Sequence, residues 1–385
     1  MQTEPHCSPP CPRHTARQSN LELLRILSML LIVLHHYALH GLCPMDKADP
    51  PAGWQVEILQ FGGGVGVALF VLISSYFMVS SRFSGRKFMR LWVPVVTISM
   101  SLYLAFRFIP QEGITPHGGI LAMCTQFLPI LSGQYWFITT FTLLMLLSPA
   151  LNMVMQRAGR MQIIGIIAVL AAFCCAPTVI PYVAYSSGEI TLFILLYFLA
   201  GYMRLHGRSP QGHAGACLVA FLVILAATEA VVAATCGAES IFLKSLHKAC
   251  AAKFGIPNLL MAVFLFRAFL GMNLGSSKWI NSIAACTLGV YLIHDNAYMR
   301  PFLWRNIFHC RDMLAQGPAA IWWHCITTVL AVYIGCTILA FIWKQTVERA
   351  YITWVEPRLL PLLRRAGGYA AGGLDKFCKR YIDRD

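Results

Sequence analysis

The sequence predicts an all-α polytopic bundle with about ten transmembrane helices and both termini on the cytoplasmic side. Three observations carry this. First, 57% of the 385 residues are hydrophobic, only 12% are charged and the mean hydropathy is +0.63, more apolar surface than one soluble core encloses. Second, the apolar residues gather in runs of about 20, the length that crosses a hydrocarbon core as a helix. These runs lie near 21–40, 58–80, 88–109, 134–156, 161–180, 190–206, 214–236, 254–274, 283–303 and 319–345. Third, the cations fall in alternate connections.

An even number of spans puts both termini on one side, and the cations say which. With the N-terminus inside, the inner segments hold Arg13, Arg17, Arg82, Arg86, Lys87, Arg90, Arg157, Arg160, Arg204, Arg208, Arg267, Lys278 and a basic C-terminal tail. The outer ones hold chiefly Lys47, Lys244, Lys248, Lys253, Arg300, Arg305 and Arg311. The positive-inside rule therefore favours cytoplasmic ends, with the patch 244–253 fitting least well. Residues 1–19 read as a disordered cytoplasmic tail, 20–345 as the membrane domain and 346–385 as a basic, lipid-facing tail. The N-terminal stretch lacks a signal-peptide core, so the first helix is expected to remain as an anchor.

The net charge of +14 is spread over these connections, which argues against nucleic-acid binding. Of fourteen cysteines, most stand singly inside apolar runs, where they act as small hydrophobes. Cys7 and Cys11 lie between His6 and His14, but no second half with zinc-site spacing follows. No metal site and no permanently bound cofactor is expected.

The first run, Asn20 to Gly41, carries Glu22, Arg25, His35, His36 and His40. Ionisable groups are costly in hydrocarbon and need a partner, a cavity or a substrate. Arg25 and His36 are eleven residues apart. At about 100° and 1.5 Å per residue they share one helix face, roughly 16 Å apart. His35 lies roughly 80–100° off that line, so His36 is the better candidate for a reactive group. Glu22 shares the face of Arg25 and can fix its guanidinium. The competing reading has Arg25 snorkelling to headgroups and the histidines bonding to neighbouring helices; the aligned face weighs against it.

The second run opens with four glycines in five residues, Gly62 to Gly66, and ends near Ser74 and Ser75. Small residues let helices approach closely. Arg86, Lys87 and Arg90 follow in a short connection, which suits either positive-inside orientation or a phosphate grip. Segment 110–133 lacks Lys and Arg and reads as an outer loop with a short interfacial helix. Tyr135 and Trp136 begin the fourth run, as an interfacial aromatic belt would. Glu229 lies within the seventh run and is left unassigned. The ninth carries CTLGVYLIHDN, Cys286 to Asn296, with His294 roughly 16 Å into the span.

These blocks resemble the membrane-bound acyltransferase family 3. The carriers are Arg25 with His36, the Gly-rich run into Leu69-Phe70 and Ser74-Ser75-Tyr76, the Arg-rich connection, Trp136-Phe137, the Leu195–Met203 stretch and Thr287–His294. Four positions depart from the pattern: Ser75 for the usual Gly, Gln134 where His often precedes the Trp, Thr287 for the usual Ser, and Asp295 where Pro often follows the His.

The resemblance implies an O-acetyltransferase of the bacterial plasma membrane, moving an acetyl group from cytoplasmic acetyl-CoA, the donor substrate, to a hydroxyl of an envelope carbohydrate. It implies His36 as general base, with Arg25 and its partner Glu22 completing the catalytic set on the same helix. Arg25, Arg86, Lys87 and Arg90 would hold the donor phosphates, and Trp136, Tyr135, His294 and His35 would serve the acceptor. The lipid bilayer is the remaining partner, and the oligomeric state is open. The alternative class is a transporter or flippase relaying protons through His and Glu; it predicts inverted repeats, of which there is little sign.

Overall fold

The structure is a computed structural model that describes residues 18–43, 53–109, 111, 113–114, 119–130, 132–180, 185, 187–207, 212–253, 255–362 and 365. The N-terminal cysteine pair, Arg13, Arg17, Lys47, Arg208 and the tail beyond 365 lie outside these residues. Fifteen α-helices follow in order: α1 (Ser19–His36), α2 (Trp54–Leu59), α3 (Phe61–Met78), α4 (Gly85–Phe108), α5 (Ile120–Phe127), α6 (Trp136–Arg157), α7 (Arg160–Val179), α8 (Gly188–Leu205), α9 (Ala214–Thr235), α10 (Ile241–Ala251), α11 (Ile256–Gly271), α12 (Lys278–Ala284), α13 (Thr287–His294), α14 (Met299–Pro301) and α15 (Pro318–Trp343). No strand occurs among the described residues. The protein is an all-α membrane bundle.

Among the described residues nine helical segments are long and apolar enough to cross a membrane. They match nine of the ten expected runs. The exception is 283–303, which is not one helix. It is broken at Ala285–Cys286 into α12 and α13, and the chain leaves α13 at Asp295. Carbonyls near the break find side-chain donors, which is what makes it tolerable in a buried setting. Thr287 Oγ1 donates to the Ala284 carbonyl (2.8 Å) and Lys344 Nζ to that of Ala285 (3.4 Å).

The last span is longer than its apolar run. Helical backbone continues from Pro318 to Leu362, so the first part of the segment read as a tail, 346–362, is helical. Its buried Glu356 accepts hydrogen bonds from Arg90 (3.1 Å) and meets Arg86 (2.8 Å). α5 supplies a short helix within 110–133.

The glycine run sets the centre of the bundle. α3 packs along α1, and a Cβ on Gly62 would strike the Leu31 carbonyl, while one on Gly66 would come within 2.7 Å of the Ser28 carbonyl. Helices this close gain dispersion contacts that lipid cannot supply. Gly289 has the same function against Ala340, where a Cβ would lie 2.5 Å from the Ala340 methyl. That contact seats α13 on α15.

Candidate active site

Two contacts set α1 parallel to α12 and α13. Ser19 Oγ donates to Asn281 Oδ1 (3.1 Å) at one end, and His36 meets His294 at the other. Arg25 therefore lies level with the α12–α13 break and His36 level with the end of α13. A cavity of about 790 Å³ runs between these levels, lined by Arg25, His35, His36, His40 and Asp295 among others, a volume usual for small-molecule sites.

At the Arg25 level the cavity wall includes Ser74, Leu91, Ala285, Thr287 and Lys344. Arg25 Nη1 is held by Glu22 Oε2 at 2.8 Å. At the other end stand Gln60, Trp136, Lys253 and Arg300. The Lys253 ammonium sits over the Trp136 ring, 3.4 Å from its centroid, and pairs with Glu189.

The imidazoles are fixed by partners whose chemistry sets their tautomers. His294 Nδ1 lies 2.6 Å from the Val290 carbonyl. A carbonyl only accepts, so His294 donates from Nδ1, and in the neutral ring its Nε2 is an acceptor. His36 Nδ1 lies 2.9 Å from that Nε2 and must donate to it. The His36 Nε2 lone pair is then free, and it bonds to no described residue while His36 lines the cavity. His35 is held similarly, its Nδ1 donating to the Gln60 carbonyl at 2.9 Å.

Local backbone geometry brings this set together. α1 ends at His36 and widens into a π-helix over Tyr37–Leu42, a feature frequent at functional sites. His40 lies in that turn, its ring centroid 5.0 Å from that of His36. Asp295, 1% exposed, caps the C-terminus of α13. Its Oδ1 lies 2.8 Å from Arg300 Nε, 3.5 Å from His36 Nδ1 and 3.7 Å from His40 Nε2.

The comparisons with known proteins bear on what such a site does. A family model described as an acyltransferase domain, of acyltransferase type 3, matches residues 18–343. The chain belongs to the acyltransferase-3 family. No curated protein and no solved structure matches it. It is thus a multi-pass membrane acyltransferase, and the cavity is its candidate active site.

Of the residues singled out from the acyltransferase sequence, the structure brings Arg25, His35, His36 and Trp136 to the cavity wall. His294 is fully buried behind His36. Tyr135 is fully buried too; its hydroxyl donates to the Leu292 carbonyl (3.0 Å) and accepts from Asn296 Nδ2 (2.8 Å), clamping the end of α13. Arg86, Lys87 and Arg90 do not line the cavity. Arg86 and Arg90 are turned to Glu356, although Leu91 beside them reaches the wall.

Sequence reading missed His40, Asp295, Arg300, Lys253 and Lys344 as members of one site. The signals were present but read otherwise: His40 is four residues after His36, Asp295 stood only as a departure from the family pattern, Lys253 and Arg300 counted as topology markers, and Lys344 lies inside the tenth apolar run. His36, His40 and Asp295 also offer ligand atoms within 4.8 Å of one another, a set that could hold a metal ion. Arg300 at 2.8 Å from Asp295 Oδ1 already supplies a positive charge there, which disfavours a second cation.

Proposed function

We propose that this acyltransferase moves an acetyl group from cytoplasmic acetyl-CoA to a hydroxyl of an envelope carbohydrate, with His36 as general base. The observation that supports this best is the shared cavity, which has a carboxylate-held arginine at one end and an imidazole with a free Nε2 at the other. The positive-inside reading of the charges places the Arg25 end toward the cytoplasm, where acyl-CoA is made.

In this reading Arg25 and Lys344 hold donor phosphates, to which guanidinium and ammonium groups are suited. Arg86, Lys87 and Arg90 stand outside this wall and add only long-range attraction for the anionic donor. The acceptor hydroxyl enters from the His36 end, beside Trp136 and His35. His36 Nε2 takes the hydroxyl proton as the oxygen attacks the thioester carbon. The C–S bond then breaks, and the departing thiolate takes that proton from His36 to leave as CoA thiol. An imidazole serves both transfers because its unperturbed pKa lies near working pH. The apolar remainder of the wall limits water, the competing acceptor.

The test is release of CoA thiol from acetyl-CoA by purified protein in the presence of an envelope glycan extract. Glycan-dependent release by the wild type that is lost in His36→Ala supports the reading. Release that is equal in both proteins removes His36 from the chemistry. No release from the wild type, combined with no binding of acetyl-CoA, rejects the donor.

A further inference from the structure

The geometry points to Asp295 as a positioning residue that acts through His36: a buried carboxylate, anchored by Arg300, that stands at the Nδ1 edge of the imidazole directed by His294 and balances the charge it gains on taking a proton. This rests on the reading of His36 as the base.

Burying a carboxylate is costly unless partners compensate. Asp295 is 1% exposed and lies at the C-terminus of α13, where the helix dipole is itself negative. An ion pair built only for stability would engage both oxygens in a bidentate fork. Here Arg300 touches Oδ1 through Nε at 2.8 Å, and among the described residues Oδ2 has no partner at hydrogen-bond distance, the Tyr291 hydroxyl being a polar neighbour of the carboxylate. Oδ1 is also the atom nearest His36 and His40. The charge is thus concentrated at the edge of the His36 ring that carries the Nδ1 proton, opposite the nitrogen that meets the cavity.

His294 and Asp295 divide the work. His294 Nε2 accepts the Nδ1 proton at 2.9 Å and sets the direction of the ring. Asp295 Oδ1, at 3.5 Å, supplies the negative charge that a neutral imidazole cannot. When Nε2 takes the acceptor's proton, the new imidazolium lies between the carboxylate and the substrate, and charge separation at the transition state is reduced. An asparagine would fill the same space without the charge, and its amide N–H would compete to donate to Nδ1, favouring the wrong tautomer.

The experiment compares wild type, Asp295→Asn, His36→Ala and the double variant in the acetyl-CoA assay, with histidine ¹⁵N NMR on the same full-length proteins. Asp295→Asn should lower kcat by at least about tenfold with KM for acetyl-CoA within about twofold. In the His36→Ala background the same substitution should change the residual rate by less than about twofold, because a residue that acts only through His36 has nothing left to act on. An equal loss in both backgrounds would overturn the proposal in favour of a structural or directly substrate-contacting role.

The NMR arm needs neither donor nor acceptor. Wild-type His36, assigned by its loss in His36→Ala, should carry its proton on Nδ1, and Asp295→Asn should reduce that fraction. A wild-type Nε2–H tautomer, or an unchanged spectrum in Asp295→Asn, would overturn the proposal even if no acyl transfer is found. Should Asp295→Asn not yield monodisperse protein, Asp295→Glu replaces it in both arms: a rate within about tenfold of wild type with the Nδ1–H form retained supports the proposal, and loss of either overturns it. Inactive wild type with the expected tautomer shift instead discards the acetyl-transfer reading and keeps the pairing.

Discussion

His36 Nδ1 and His294 Nε2 lie 2.9 Å apart although 258 residues separate them. The contact joins the end of the first helix to the end of α13 and leaves one imidazole nitrogen free at the wall of the cavity. Each of the two family blocks thus supplies half of one hydrogen bond.

His36 and His35 are both anchored through Nδ1, but only His36 adjoins a carboxylate. His36→Ala should lower kcat by about 10²–10⁴-fold, the span of general-base catalysis. His35→Ala should act mainly on KM for the acceptor. Steady-state kinetics of CoA thiol release on the two variants distinguish them.

Arg25 and the cluster of Arg86 and Arg90 make different contacts. Arg25 lines the cavity and is held by Glu22, whereas Arg86 and Arg90 face Glu356. Arg25→Lys retains charge but loses the planar fork, so KM for acetyl-CoA should rise about tenfold, the equivalent of one hydrogen bond to a charged group. Arg90→Gln should leave KM nearer wild type and lower thermal stability instead. Acetyl-CoA titrations and melting curves of both proteins check this.

Gly66 lies where a side chain would strike the Ser28 carbonyl and Ile32. Gly66→Val should force α3 from α1 and destabilise the protein by about 1–3 kcal/mol, as overpacking does. The reading is a lower melting temperature in detergent, with loss of activity following loss of fold.

Removal of Arg300 should cost more. Asp295 is 1% exposed, and without the guanidinium its charge would be left to two histidines. Loss of one partner from a fully buried pair costs about 3–5 kcal/mol; the Arg300 side chain is 31% exposed, so Arg300→Ala should fall at the low end of that range and melt below wild type, and Arg300→Lys should recover part of the difference.

The His36, His40 and Asp295 set invites a test by chelation. With Arg300 already on Asp295, EDTA should leave acyl transfer unchanged and added Zn²⁺ should not raise it. Activity lost to EDTA and restored by zinc would instead make the three residues a metal centre.

The sequence by itself determined the membrane bundle, nine of its spans and the alignment of Arg25 with His36, because apolar run length and helical periodicity are local properties. It also exposed His294, through the block around it. It did not reveal that 283–303 is broken, since the carbonyls freed there are satisfied by Thr287 and by Lys344, and Lys344 lies 59 residues from Ala285. Nor could it tell a topology-marking lysine from one that sits over the Trp136 ring at the cavity wall, as Lys253 does. The tautomer of His36 and the partnership with Asp295 were decided only by tertiary structure. A hydrogen bond's direction depends on which carbonyl, ring nitrogen or carboxylate lies within about 3 Å, and in this bundle those atoms come from helices far apart in the chain.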